Sequence, residues 1–103
     1  MPKYDKLVRD KIPDILDEQG LQYNIRVAKG DDKKYYIQQK LLEEVNEFLV
    51  DPSIEELGDI QEVITGLLEV YGWKQSELDL QVLSKRNKRG SFYKSIILEE
   101  VIS

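Results

Sequence analysis

The sequence predicts a mainly α fold: an antiparallel helical bundle around a central helix hairpin, with a short β-hairpin pairing residues 23–28 with 94–101. Three observations carry that prediction. Apolar residues recur at helical spacing through two long segments. Asp51-Pro52-Ser53 interrupts the periodicity between them, and glycines stand at 20, 72 and 90, where helical patterns stop. At 103 residues the chain is long enough for one core, so residues 1–103 read as a single domain.

The elements follow in order. Asp10 to Gln19 reads as a short first helix, with Pro13 near its beginning and Gly20 as the stop. Tyr23, Ile25 and Val27 alternate with Asn24, Arg26 and Ala28, the period of a strand. Gly30, Asp31 and Asp32 form a turn whose aspartates can cap a helix from about Lys33 to Val50, with Ile37, Leu41, Val45 and Phe48 as its apolar stripe. Ser53 can cap the next helix, which runs to about Tyr71 and buries Leu57, Ile60, Ile64, Leu67, Leu68 and Tyr71. Ser76 with Asp79 resembles a capping box for a further helix carrying Leu78, Val82 and Leu83 and stopping at Gly90. The tail from Phe92 to Ile102 is readable as strand or helix; its partial alternation favours a strand against residues 23–28.

Composition narrows the function classes. With 41% hydrophobic and 34% charged residues the chain is suited to fold and to stay in solution. No apolar run is long enough for a span, and the start MPKYDKLVRDKIP lacks an apolar signal region, so a cytoplasmic protein without membrane association is expected. Cysteine is absent, which excludes a disulfide framework and thiol catalysis. A net charge of −5 argues against binding duplex nucleic acid, because that affinity rests on neutralising phosphates. The cations are nevertheless clustered: Lys3, Lys6, Arg9 and Lys11 near the start, and Lys85, Arg86, Lys88 and Arg89 within five positions. Two basic clusters on an acidic chain suggest a small phosphorylated ligand.

The acids are the more specific signal. Glu44 with Glu47, and Glu56 with Asp59, are each three residues apart, so each pair shares one helical face with Cβ atoms about 5–6 Å apart. If residues 51–53 turn the chain between antiparallel helices, residues whose numbers sum to 103 stand level; Glu47 opposes Glu56 and Glu44 opposes Asp59. Two unit charges 4 Å apart repel by about 4 kcal/mol at an effective dielectric near 20, and a domain's net stability is only about 5–15 kcal/mol. A cation or protons must offset that repulsion. Without His or Cys the donors are all oxygen, which suits Mg²⁺ or Mn²⁺. Glu43 and Glu62 point elsewhere on the helical wheel and read as solvated surface.

Each residue also has a simpler explanation. Glu56 stands three after Ser53, the spacing of a capping box, so capping and ligation both fit it. Glu43, Glu44 and Glu47 could pair with Lys40 on a solvated face. Lys85 and Arg89 share a face, but cations at a helix C-terminus also complement its dipole. The tyrosines and Trp73 read as core or subunit interface rather than as stacking platforms.

The two acidic motifs, Glu43-Glu44-Val45-Asn46-Glu47 and Glu56-Leu57-Gly58-Asp59, resemble the E-E-x-x-E and E-x-x-D signature of the MazG-like all-α nucleoside triphosphate pyrophosphatase superfamily. Lys6-Leu7-Val8-Arg9-Asp10-Lys11-Ile12-Pro13, and Lys85-x-x-x-Arg89-Gly90-x-Phe92, resemble its small-protein branch, described as phosphoribosyl-ATP pyrophosphohydrolase-like or predicted house-cleaning enzymes. The resemblance covers nearly the whole chain. It implies Mg²⁺-dependent cleavage between the α and β phosphates of a nucleotide, giving a nucleoside monophosphate and pyrophosphate. Glu44, Glu47, Glu56 and Asp59 would be the metal ligands, with Mn²⁺ as an alternative ion. Glu43 or Glu47 would be the catalytic base, and Lys6, Arg9, Lys11, Lys85 and Arg89 would hold phosphates. A homodimer or homotetramer is implied as well. Two other functions remain compatible with these residues: hydrolysis of phosphoribosyl-ATP, and a non-catalytic helical module that binds metal for structure or regulation.

Overall fold

The computed structural model describes residues 4–103, and the chain falls into two compact units, Met1–Gly72 and Trp73–Ser103. Lys3 of the first basic cluster lies outside the described residues. The structure is mainly helical, with four helices: α1 (Ile12–Glu18), α2 (Asp31–Val50), α3 (Ile54–Tyr71) and α4 (Gln75–Arg89).

In the first unit, α1 opens with a proline in its first turn and closes where the Leu21 and Gly20 amides donate to the Leu16 and Asp17 carbonyls, at 3.0 Å each. The α2 helix starts two residues earlier than expected. Gly30 takes its N-cap position with no side-chain cap, and Asp31 and Asp32 lie inside the first turn, where their charge complements the helix dipole. By contrast α3 begins as its sequence dictates: Ser53 is extended at φ −153° and its hydroxyl accepts from the Glu56 amide at 3.1 Å. The helix ends where Gly72 adopts φ 72°, a left-handed conformation that glycine enters without a Cβ penalty.

Helix packing is concentrated between α2 and α3. Ile37 of α2 and Val63 and Leu68 of α3 are buried, while Leu41, Val45, Phe48, Ile60, Ile64 and Leu67 are half-buried beside them. Leu57, expected in this face, is half exposed, while Val63 is buried. The register is visible at Gly66. A Cβ there would stand 2.8 Å from the Ile37 Cδ1, so the two residues meet directly, and their numbers also sum to 103. The Gln38 amide donating to the Tyr71 hydroxyl, and the Lys34 ammonium 5.2 Å from the Tyr71 ring, join the other end of the hairpin.

Residues 23–28 form no strand, and none is present among the described residues. An isolated two-stranded ribbon is marginal in water without a third strand or an apolar surface to cover. Ile25 and Val27 are 62% and 77% exposed, so no such surface receives them. The segment is held by side chains instead. Arg26 donates to the Tyr36 hydroxyl at 2.6 Å, and Tyr23 donates to Asp17 at 2.8 Å.

In the second unit, α4 begins at Gln75 with Lys74 as N-cap and no side-chain cap. Ser76 therefore lies within the helix, and Asp79 accepts from the Gln75 amide at 3.0 Å rather than completing a capping box. The tail after Gly90 is neither strand nor helix; it turns once, where the Ser95 amide meets the Phe92 carbonyl at 3.1 Å.

Candidate metal centre

Three of the four predicted acids converge. Carboxylate oxygens of Glu44, Glu56 and Asp59 lie within 4.8 Å of one another, a spacing that could hold a metal ion. The short turn at residues 51–53 folds α3 back along α2, and this brings the two carboxylates of α3 against Glu44 of α2. Glu44 is the most buried of them, with 6% exposure. Its Oε1 has the Lys40 ammonium at 3.4 Å, one helical turn away. Its Oε2 is buried with no hydrogen-bond partner, and so is the Oε2 of Glu56.

Those two orphaned oxygens decide how the cluster is read. A buried polar atom without a partner costs about 1–3 kcal/mol, more when charged, and most buried polar groups in folded proteins are satisfied. Capping accounts for only part of Glu56. Ser53 does bond the Glu56 amide, yet the Glu56 Oε2 has no partner, so that oxygen is not spent on the helix start. Burial, then the neighbouring Glu47 carboxylate, push the Glu44 carboxyl up from its ordinary value, against the opposing pull of Lys40. The donor set is all oxygen and compact; Lys40 and Arg9 offset part of the charge of Glu44 and Asp59, and the spacing could hold a hard divalent cation.

Glu47 is not brought into this trio. It is exposed, one turn along α2 from Glu44, and with Glu56, Asn46, Val50 and Asp51 it lines an open hollow beside the interhelical turn. Glu43 differs from the solvated surface group expected of it. It accepts from Lys6 at 2.8 Å and from Lys40 at 3.2 Å, and the Lys6 bond above all holds its carboxyl below the ordinary range. Lys6 is correspondingly raised by Glu43. Glu62 is exposed, as expected.

The cations of the first unit sit among these acids. Arg9 donates to Asp59 at 2.7 Å and Lys6 reaches Glu43, so the segment before α1 carries positive charge onto the carboxylate cluster. Lys11 is exposed at the N-cap of α1. Lys85 and Arg89 are exposed on α4 in the second unit, where the basic last turn of Arg86, Lys88 and Arg89 complements the helix dipole. Lys40 is the site residue that sequence spacing undervalued. Its positions three before Glu43 and four before Glu44 were the available signal, and it bridges both.

Comparison with protein-family models, with curated proteins and with solved structures finds no match to this chain.

Proposed function

We propose that the chain is a Mg²⁺-dependent nucleoside triphosphate pyrophosphohydrolase, cleaving between the α and β phosphates of a noncanonical or surplus nucleotide. The observation that carries this reading is the convergence of Glu44, Glu56 and Asp59 with two buried, unpartnered oxygens among them. Glu44, Glu56 and Asp59 would hold the ion, and Glu47, whose carboxylate raises that of Glu44, is the fourth proposed ligand. Bound there, Mg²⁺ supplies charge neutralisation across phosphate oxygens and lowers the pKa of water.

The protein's own groups do the rest. Of the two candidate bases, Glu43 is clamped by two ammonium groups and held in its ionised form, which weakens it as a proton acceptor. Glu47, exposed beside the trio, would take the proton instead. A water oxygen bonds a phosphorus of the α–β anhydride, the anhydride P–O bond breaks, the water's proton passes to the Glu47 carboxylate, and pyrophosphate and the monophosphate separate. Lys6 and Arg9 stand beside the acids and can exchange a carboxylate for a phosphate oxygen, the bidentate geometry of Arg suiting either. Lys11, Lys85 and Arg89 remain proposed phosphate contacts from the sequence resemblance.

The test is release of pyrophosphate and monophosphate over a nucleotide panel with Mg²⁺ or Mn²⁺, phosphoribosyl-ATP included. Turnover abolished by Asp59→Asn with the fold retained supports the reading. Absence of turnover on every triphosphate sinks it. A non-catalytic metal-binding module is the second reading, favoured by the absence of Glu47 from the trio. It expects Mg²⁺ binding that Asp59→Asn removes, with no turnover to lose.

A homo-oligomer and a cytoplasmic location belong to the same proposal. Support for the first is the small core: Ile37, Val63 and Leu68 are the buried apolar side chains among the described residues, while Leu42, Leu49 and Ile54 on the hairpin stay exposed. For the second, no helix among the described residues is long and apolar enough to cross a membrane.

A further inference from the structure

Beside the acidic cluster, still within the first unit, is a cavity of about 270 Å³ lined by Tyr35, Tyr36, Gln39, Lys6, Lys40 and Glu43, among others. Its two ends differ in chemistry. At one end the rings of Tyr35 and Tyr36 meet edge to face, with centroids 5.1 Å apart and planes at 85°. Tyr36 is occupied: the Arg26 guanidinium stands 5.2 Å from its ring, and Arg26 also donates to its hydroxyl. Tyr35 is 56% exposed. Gln39, one helical turn after Tyr35, is exposed on the same side and offers an amide that both donates and accepts.

At the other end the cavity is lined by Lys6, Lys40 and Glu43. Lys6 and Lys40 both bond Glu43, and Lys40 lies 3.4 Å from Glu44. Tyr36, Lys40 and Glu44 succeed one another at four-residue intervals along one stripe of α2, so the aromatic end and the carboxylate end are about 12 Å apart along the helix at 1.5 Å per residue. Ammonium groups occupy the interval between. The aromatic end, then Lys6 and Lys40 around Glu43, lead along α2 towards the acidic trio, the order in which the base, the first phosphate and the anhydride of a nucleotide succeed one another.

We propose that this cavity is the nucleobase subsite of a nucleoside triphosphate, with Tyr35 as the stacking face and Gln39 as the group that reads the base edge. The inference rests on the pyrophosphatase reading above and adds to it the part of the substrate that carries identity. Its size agrees: ligand sites for whole drug-sized molecules run from about 300 to 1,000 Å³, so a cavity just below that range takes a base and leaves the phosphates outside. Stacking on an aromatic side chain is sequence-tolerant, since every base has a π-face, whereas the Gln39 amide can distinguish bases by their donor and acceptor pattern.

Calorimetric titration of the full chain with Mg²⁺ and α,β-methylene analogues of a purine and a pyrimidine triphosphate, beside Mg²⁺ and inorganic tripolyphosphate, tests this directly. The analogues should bind at least tenfold more tightly than tripolyphosphate. Tyr35→Ala should weaken them by between about fivefold and a hundredfold, the range of one base stack, and leave tripolyphosphate unchanged; Tyr35→Phe should keep the affinity. Gln39→Ala should shift the ratio between the purine and pyrimidine analogues. Both residues are exposed, and circular dichroism of each variant verifies that the helices persist. If tripolyphosphate and analogues bind but Tyr35→Ala and Gln39→Ala change neither, the base subsite is wrong while the pyrophosphatase reading survives. If neither ligand binds in the presence of Mg²⁺, both fall. A change of molecular mass in Tyr35→Ala with unchanged nucleotide affinity would make the cavity a subunit contact and overturn the proposal.

Discussion

Glu44 stands in an environment that works against its charge. It is buried, it neighbours Glu47, and Lys40 at 3.4 Å only partly compensates. Glu44→Gln keeps the shape and removes the charge, so the metal-free protein should gain about 1 kcal/mol, a typical single-site effect, which is about 4–8 °C in a domain of this size. Mg²⁺ binding by calorimetry should disappear in the same variant. The pH dependence follows from the direction of the shift. A carboxyl raised above its ordinary 4.5 contributes stability that is fully present below 4.5 and is lost as pH rises through the folded value. Metal-free wild type should therefore gain from this group as pH falls from neutral towards 4.5, and Glu44→Gln should lack that gain in thermal melts. Glu43 acts with the opposite sign on the other side of the same value, since it is lowered and loses its contribution as pH falls below 4.5. Arg9 gives a second prediction at this scale. It neutralises Asp59 at 2.7 Å when no cation does, and the reading also gives it a phosphate to hold. Arg9→Ala should tighten Mg²⁺ alone by a few-fold in titration and weaken Mg²⁺ nucleotide, with KM rising; two changes of the same sign would refute that double role.

Among the elements, the α2–α3 hairpin is where packing and site geometry meet. Gly66 lets the two helices approach at Ile37, and Gly66→Ala would place a methyl 2.8 Å from the Ile37 Cδ1. Overpacking costs about 1–3 kcal/mol and the helix-propensity gain of Ala over Gly returns about 1. A net loss of about 1 kcal/mol in denaturant unfolding is expected. Ile37→Val removes the clashing atom, so the pair of substitutions should lose less than the sum of the two, with a coupling of about 1 kcal/mol. A purely additive pair would show that the helices separate instead. This hairpin was also the most legible part of the chain. Ser53, Gly72 and the helical spacing of Ile60, Ile64, Leu67 and Leu68 state α3 locally, and the sum of 103 that sets Glu44 level with Asp59 also holds for Gly66 and Ile37, which meet in the structure. The β-hairpin was not legible, because alternation in Tyr23, Ile25 and Val27 specifies a face and says nothing about a partner to cover it. Nor were Lys6 against Glu43 or Arg9 against Asp59, since the loop before α1 sets them and no periodicity crosses it.

For the whole molecule the deciding quantity is the apolar surface left in water. Leu80, Val82 and Leu83 of α4 and Phe92, Ile96, Ile97 and Leu98 of the tail are all exposed, as are Leu42, Leu49 and Ile54 of the first unit. Where such side chains form a contiguous patch, it marks a surface that meets another molecule. Light scattering should return at least twice the 12.1 kDa of one chain, and the thermal midpoint should rise with protein concentration. A mass of one chain at working concentration would exclude self-association. The carboxylate trio has a further consequence that belongs to time rather than equilibrium. Glu44, Glu56 and Asp59 come from one hairpin closed by a three-residue turn, so they assemble as soon as that hairpin forms, through contacts short in sequence. Their mutual repulsion then opposes closure of the hairpin. If the hairpin forms before the rest of the unit, a divalent cation held by the trio should speed refolding, followed by stopped-flow fluorescence, more than it slows unfolding.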